Sequence, residues 1–283
     1  MISMEHLAEK PVKIPENEFI EDSLQLLKAA TEKGIVLRIM GALAIRLHSD
    51  HSEECKDIFT RLNRLGEGRS AYTDLDLAAY SKQNKMIKEF MEKDRGYEPR
   101  RMLNACFGDR RMAFSNTRKG YGIDIFFDKL EFSHDVYWGK DAGKDRLELD
   151  CPTLNLSDLV LEKIQIHQIN FKDIVDLNVL FMFHDVHDTV EEEHINGKYV
   201  ARILSDDWGF WYDATNNLKK AMDAAKKFLE EGRITQMDFE NVQERIQKLL
   251  GYIDSEPKTK NWNKRAEKGI RRPWYREVEE IYR

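Results

Sequence analysis

Residues 72–80 read YTDLDLAAY, two aspartates alternating with leucines inside an apolar run. Successive side chains of a β-strand point to opposite faces. Such a strand sends Leu75 and Leu77 to one side and Asp74 and Asp76 to the other. The leucines call for a packed core. The aspartates, held side by side, repel, and burying them is costly unless something positive lies between them. The chain is therefore constrained to a sheet with one apolar face and one face that carries or binds positive charge.

Other segments extend that sheet. YGIDIFF (121–127) places Asp124 among Ile123, Ile125, Phe126 and Phe127, where a charge must be paired or must bind a cation. RRMAFSN precedes it across TRKG, and the two read as a hairpin. If the Asp124 strand lies beside the Asp74–Asp76 strand, three carboxylates converge. Three hard oxygen donors suit Mg²⁺ or Mn²⁺. Upstream, the strand IVLRI runs into Gly41 and the helix GALAIRLHS. Glycine allows close backbone approach, and a helix start offers N–H groups to an anion. FIEDSLQLLKAATEKG reads as an amphipathic helix stopped by Gly34, and KQNKMIKEFMEK as a helix closed by Gly96. Residues 49–70 form a polar insertion, and RLELD and TLNL are expected as two short strands.

Beyond residue 152 the pattern becomes helical, and four of the six prolines lie at or before that position. The expected fold is α+β: a mixed-sheet domain with flanking helices over 1–152, then an α-helical domain over 153–283 that closes the cleft. In NLSDLVLEKIQIHQ, Ser157 is the expected N-cap, and Leu156, Leu159, Val160, Ile164 and His167 form an apolar stripe. Lys163 falls within that stripe, and an inward lysine is expected to reach an anion. In the next helix Asn170 is the expected N-cap with Asp173 three residues on. Lys172 and Asp176 are spaced as an i, i+4 pair.

Strand, glycine, helix start, then Asp-x-Asp on a strand and a third acid on a neighbouring strand: this order resembles the nucleotidyltransferase-fold superfamily. Gly41-Ala42, Asp74, Asp76 and Asp124 stand at its motif positions. The closer resemblance is to bacterial nucleotidyltransferase-like proteins related to AbiEii-type abortive-infection toxins. It is carried by GALAIRLHS, GRSAYTDLD, and Lys163 followed by Lys172-Asp173 and Asp176. The resemblance implies that Asp74, Asp76 and Asp124 hold Mg²⁺ or Mn²⁺ and that an NTP is the substrate. Gly41 and Ala42 would cradle phosphates, with Arg69, Lys163, Lys172, Asp173 and Asp176 as further nucleotide-site residues. Asp124 would take the proton of an acceptor hydroxyl, on an RNA end such as a tRNA 3′ terminus, a protein or a small molecule. Ala42 stands where Gly or Ser is usual and offers no hydroxyl to a phosphate. A catalytically weak nucleotide-binding protein of the same fold, or a toxin held by an antitoxin partner, is the alternative.

Composition narrows the rest. The chain is 41% hydrophobic and 34% charged with net charge −6, which gives no overall pull toward nucleic acid or anionic membrane. MISMEHLAEKPVKIPENE has no apolar core of a signal peptide, and a cytoplasmic location is expected. Cys55, Cys106 and Cys151 lack metal spacing and are expected as reduced thiols. Two basic clusters, Arg95–Lys119 and Lys258–Arg272, interleave with aromatics and suit either nucleic acid or a solvated face over core tryptophans. HDVHD (184–188) has metal-ligating residue types but no matching ligand set in the local sequence, and it reads as a solvated connection.

Overall fold

A computed structural model describes residues 14–50, 55, 57–66, 71–189 and 193–278. The first half contains α1 (Glu16–Glu32), β1 (Leu37–Ile39), α2 (Gly41–His48), α3 (Ile58–Arg61), β2 (Asp74–Ala79) and α4 (Asn84–Glu89). It continues with β3 (Glu98–Pro99), α5 (Arg101–Phe107), β4 (Arg111–Asn116), β5 (Tyr121–Phe127), β6 (Lys129–Glu131) and β7 (Asp135–Tyr137). In α1, Phe19, Leu26, Leu27 and Ala30 are buried at helical spacing, and the helix ends at Glu32, two residues before Gly34, whose φ is +72°.

The main sheet is mixed, in the order β1-β2-β5-β4-β3. β1 is antiparallel to β2, β2 runs parallel to β5, and β5 is antiparallel to β4 and joined to it by the expected hairpin. Leu75 and Leu77 are 0% exposed, so the apolar face of YTDLDLAAY is the anchor that its alternation requires.

Two expected strands are absent. RLELD makes a 3-10 turn over Arg146–Glu148. Leu147 is buried with its N–H on the Tyr80 hydroxyl, whereas Leu149 is 48% exposed, so the alternation is not used. TLNL contributes only an isolated bridge between Ile39 and Thr153.

The second half is helical apart from the two-residue strands β8 (Val186–His187) and β9 (Ile195–Asn196). Its helices are α6 (Leu156–Ile164), α7 (Phe171–Phe183), α8 (Gly197–Leu204), α9 (Trp208–Glu230), α10 (Gln236–Ser255) and α11 (Lys260–Ala266). The N-cap of α6 is Asn155, whose side chain accepts from the Asp158 N–H, and not Ser157. Ser157 Oγ instead accepts from Asn196 N–H. α6 also stops at Ile164, short of His167, because Asn217 Nδ2 caps the Ile164 and Ile166 carbonyls. Asn170 does cap α7, accepting from Asp173 N–H. One hydrophobic core runs from α1 and the sheet through α6, α7, α9 and α10. α6 and α7 pack against α2, and this brings the second half onto the aspartate-bearing edge of the first. No helix among the described residues is long and apolar enough to cross a membrane.

Candidate active site

The register of two strands builds the site. β2 and β5 are neighbours, and Asp76 lies directly opposite Asp124 with Asp74 opposite Gly122. Parallel pairing in this register sends all three carboxylates to the same face. Each offers an oxygen, and the three atoms lie within 4.8 Å of one another. The convergence expected from the sequence is present.

An arginine meets one of them directly. Arg111, on the adjacent β4, donates to Asp124 Oδ1 from Nε at 3.2 Å and lies 3.0 Å from it through Nη2. Its guanidinium sits over the Phe126 ring at 5.1 Å. This arginine belongs to the first basic cluster, and its charge is spent inside the protein. Burial nevertheless raises Asp124 above the ordinary carboxylate range, against the opposing pull of Arg111 and Arg100. Asp76 goes further. Burial, then the nearby Asp124 and Glu162, push its pKa up to about 7, although Arg111 and Lys163 oppose the shift. Asp76 Oδ1 is buried and has no hydrogen-bond partner among the described residues. A buried, partnerless carboxylate oxygen on an acid beside two others is a local demand for a cation or a proton.

The glycine motif reaches the same point. Gly41 has φ +68°, and a Cβ there would stand 3.7 Å from Asp76 Oδ2 and 3.8 Å from Glu162 Oε1. Its N–H is not open to a phosphate. It donates to Glu162 Oε2 at 3.0 Å. A carboxylate at a helix start satisfies the free N–H and the helix dipole, so this chain supplies its own anion where the resemblance implies a substrate's. Glu162 is not among the residues that the sequence motifs single out. Its signal is slight: an acid one turn after Asp158 in a helix whose residues are all buried.

Lys163 also departs from expectation. It is buried, and its ammonium does reach anions, but they are Glu162 at 3.2 Å, Asp173 at 3.0 Å and Asp176 at 3.0 Å. These partners raise its pKa well above the ordinary lysine value despite burial. Asp176 is 0% exposed, so it is no surface partner of Lys172. It takes Arg64 in a two-pronged pair, Nε to Oδ1 at 2.6 Å and Nη2 to Oδ2 at 2.9 Å. Burial opposes its ionisation, but Arg64 and Lys163 hold its pKa down at about 2. Arg64 lies in the polar insertion and carried no signal in the sequence. Arg69 lies outside the described residues.

These groups border a cleft of about 600 Å³. Gly41, Ala42, Asp74, Asp76, Glu162, Lys163, Lys172 and Asp173 line it, whereas the buried Asp124 and Asp176 do not. Phe126, Leu130, Phe132 and Ile166 add apolar lining, and the segment Tyr275–Val278 crosses its rim. Basic side chains in this lining do not outnumber the acidic ones. In the second basic cluster, Trp262 packs against Trp211 and the neighbouring Trp274 against Trp208 and Tyr212, so these rings serve packing. No protein-family model, no curated protein and no solved structure matches this chain.

Proposed function

We propose that the chain is a metal-dependent nucleotidyltransferase that moves an NMP from an NTP to an acceptor hydroxyl and releases pyrophosphate. The observation that carries this reading is the convergence of Asp74, Asp76 and Asp124, with an orphaned Asp76 oxygen, where Asp74 and Asp76 line a cleft beside a glycine-opened helix. The motif order described above, which resembles the nucleotidyltransferase superfamily and the AbiEii-related group, supports the same reading.

The donor set is all oxygen, which fits Mg²⁺ or Mn²⁺. When bound, such an ion would neutralise phosphate charge and lower the pKa of the acceptor hydroxyl. The chain's residues do the rest. Arg111 orients Asp124, whose raised pKa suits it to take the acceptor proton. Because the cleft has no cation surplus, the nucleotide enters with its metal and not as a bare polyanion. Lys172, at the start of α7, lines the cleft and would contact an outer phosphate. The apolar lining suits the base, and the cleft volume suits a nucleotide. The acceptor is a hydroxyl on an RNA end, a protein or a small molecule.

A second reading has its own support. Glu162 holds the Gly41 N–H, and Ala42 has no hydroxyl, so phosphate contacts are fewer than the motif normally provides. This favours a catalytically weak nucleotide-binding protein, including one that acts through a partner. Incubation with α-labelled NTPs and Mg²⁺ separates the two. Label transfer that disappears in Asp74→Ala and Asp76→Ala supports the enzyme. Transfer that survives both substitutions overturns the metal site. Saturable NTP binding without transfer to RNA, protein or small-molecule acceptors favours the second reading.

A further inference from the structure

Two histidines seven residues apart, His187 and His194, meet near the end of α7, and neither lines the cleft. Asp185 immediately precedes β8 and His187 ends it, two positions apart. β8 pairs in parallel with β9, Val186 opposite Ile195, and Ile195 N–H donates to the Asp185 carbonyl at 2.9 Å. This pairing lays His194 alongside Asp185. The two imidazoles stand edge to face, with ring centroids 4.4 Å apart and planes at 74°. Ligand atoms of Asp185, His187 and His194 all lie within 4.8 Å of one another. HDVHD lacks a third ligand in its own stretch of sequence, and strand pairing supplies it from position 194.

The support around Asp185 is that of a ligand held in place. Arg245 Nε lies 2.5 Å from Asp185 Oδ1. Through Nη1 the same arginine donates to the Phe181 carbonyl at 3.1 Å and the Met182 carbonyl at 2.5 Å. It therefore caps the end of α7 and fixes the carboxylate in a single step, as groups behind a metal ligand commonly do. Asp185 is exposed, and His187 and His194 are half-buried, so an ion can enter from solvent and keep water on its remaining positions.

We propose that Asp185, His187 and His194 form a site for a borderline divalent transition ion of the Zn²⁺ class. Two imidazoles and one carboxylate are a zinc-type donor set and a poor one for Mg²⁺. The site is thus distinct in chemistry from the all-oxygen group in the cleft. Because it joins β8 to β9 at the end of α7, the ion ties the α7 end to the start of α8.

The test uses the full chain, stripped of metal by a chelator and titrated with ZnCl₂ by calorimetry, and with CoCl₂ by visible absorption. The expected result is one Zn²⁺ per chain. Affinity falls at least about tenfold in His187→Gln and in His194→Gln and is unchanged in Asp76→Asn. The ¹⁵N signals of two histidine side chains in the unmutated protein shift together on zinc addition, a reading that does not depend on how the variants fold. Binding weaker than about 100 μM, equal binding in the histidine variants, or zinc shifts on other histidines overturns the proposal.

Discussion

The sheet floor of the cleft and the helical wall beside it are both made of buried charge, and they balance it differently. On the wall, Lys163 and Arg64 are matched by Glu162, Asp173 and Asp176 at 2.6–3.2 Å, so each charge has a partner supplied by the chain. On the floor, Arg111 pairs with Asp124, while Asp76 is raised to a pKa of about 7 and one of its oxygens has no partner among the described residues. A closed network stabilises; an open one holds a demand for something outside the chain. Under the proposed function, Lys163, Asp173 and Asp176 therefore act as scaffold and the floor acids as the site. Substitutions on the two sides should fail in different ways.

The largest separation is in activity. Asp76→Ala should cut Mg²⁺-dependent label transfer by roughly a thousandfold, a loss typical of removing a main electrostatic contributor. Its thermal midpoint should stay level or rise, because a repelling carboxylate has gone. A variant that loses activity only because it unfolds would remove the distinction between floor and wall.

Asp176→Ala should do the reverse. It leaves Arg64 and Lys163 buried with one fewer carboxylate, and breaking a buried pair from one side typically costs about 3–5 kcal/mol. Denaturant unfolding should show that loss. Arg64→Met paired with Asp176→Leu should recover part of it, since Lys163 keeps Glu162 and Asp173 and an apolar replacement of a whole buried pair is often tolerated. If Asp176→Ala instead folds normally and loses nucleotide affinity, the wall belongs to the site after all.

How these regions read from sequence follows from the range of their interactions. The alternation of Leu75 and Leu77 with Asp74 and Asp76 is local, as is the TRKG hairpin turn, and both are legible. The partnership of Asp76 with Asp124 depends on β2 lying beside β5, and the order of motifs carried that information. Glu162 was hidden because its role is to meet Gly41 from 121 residues away. Lys163 was legible as an unusual inward lysine, but periodicity cannot say whether the anion it meets belongs to a substrate or to the chain. Ser157 and Asn155 differ by two positions, and either is a good cap; packing of Ser157 against Asn196 decided between them. RLELD failed as a strand because alternating leucines do not reveal that Leu149 faces solvent.

The floor also predicts a pH dependence of stability. Asp76 has a pKa near its ordinary value of 3.8 when unfolded and about 7 when folded. The folded state thus holds the extra proton, so stability is highest below about pH 4 for this group and is lost as pH rises through about 7. Because Asp76 is only part-buried, the effect is on the order of 1–3 kcal/mol. The wall has the opposite sign: the stability from ionised Asp176 is lost as pH falls from about 4 toward about 2. Urea unfolding from pH 4 to 8 should show the decline in the metal-free protein, none from this group in Asp76→Asn, and recovery with Mg²⁺. A decline that persists unchanged in Asp76→Asn places the titration elsewhere.

Gly41 sits where floor and wall meet, and it gives the smallest and sharpest test. Gly41→Ala adds a Cβ that touches Asp76 and Glu162 at 3.7 and 3.8 Å, ordinary contact distances, so space is not the obstacle. The cost comes from the φ of +68°, which alanine adopts poorly, and should be about 1 kcal/mol. For a chain of this size that corresponds to a fall of roughly 2–4 °C in thermal midpoint. If Glu162 keeps the Gly41 N–H during turnover, transfer should fall by less than about tenfold, in line with the small strain. If transfer falls far more than stability, Glu162 must move aside and the Gly41 backbone must bind phosphate directly. The wall would then open during the reaction, and its balance of charge would describe only the resting protein.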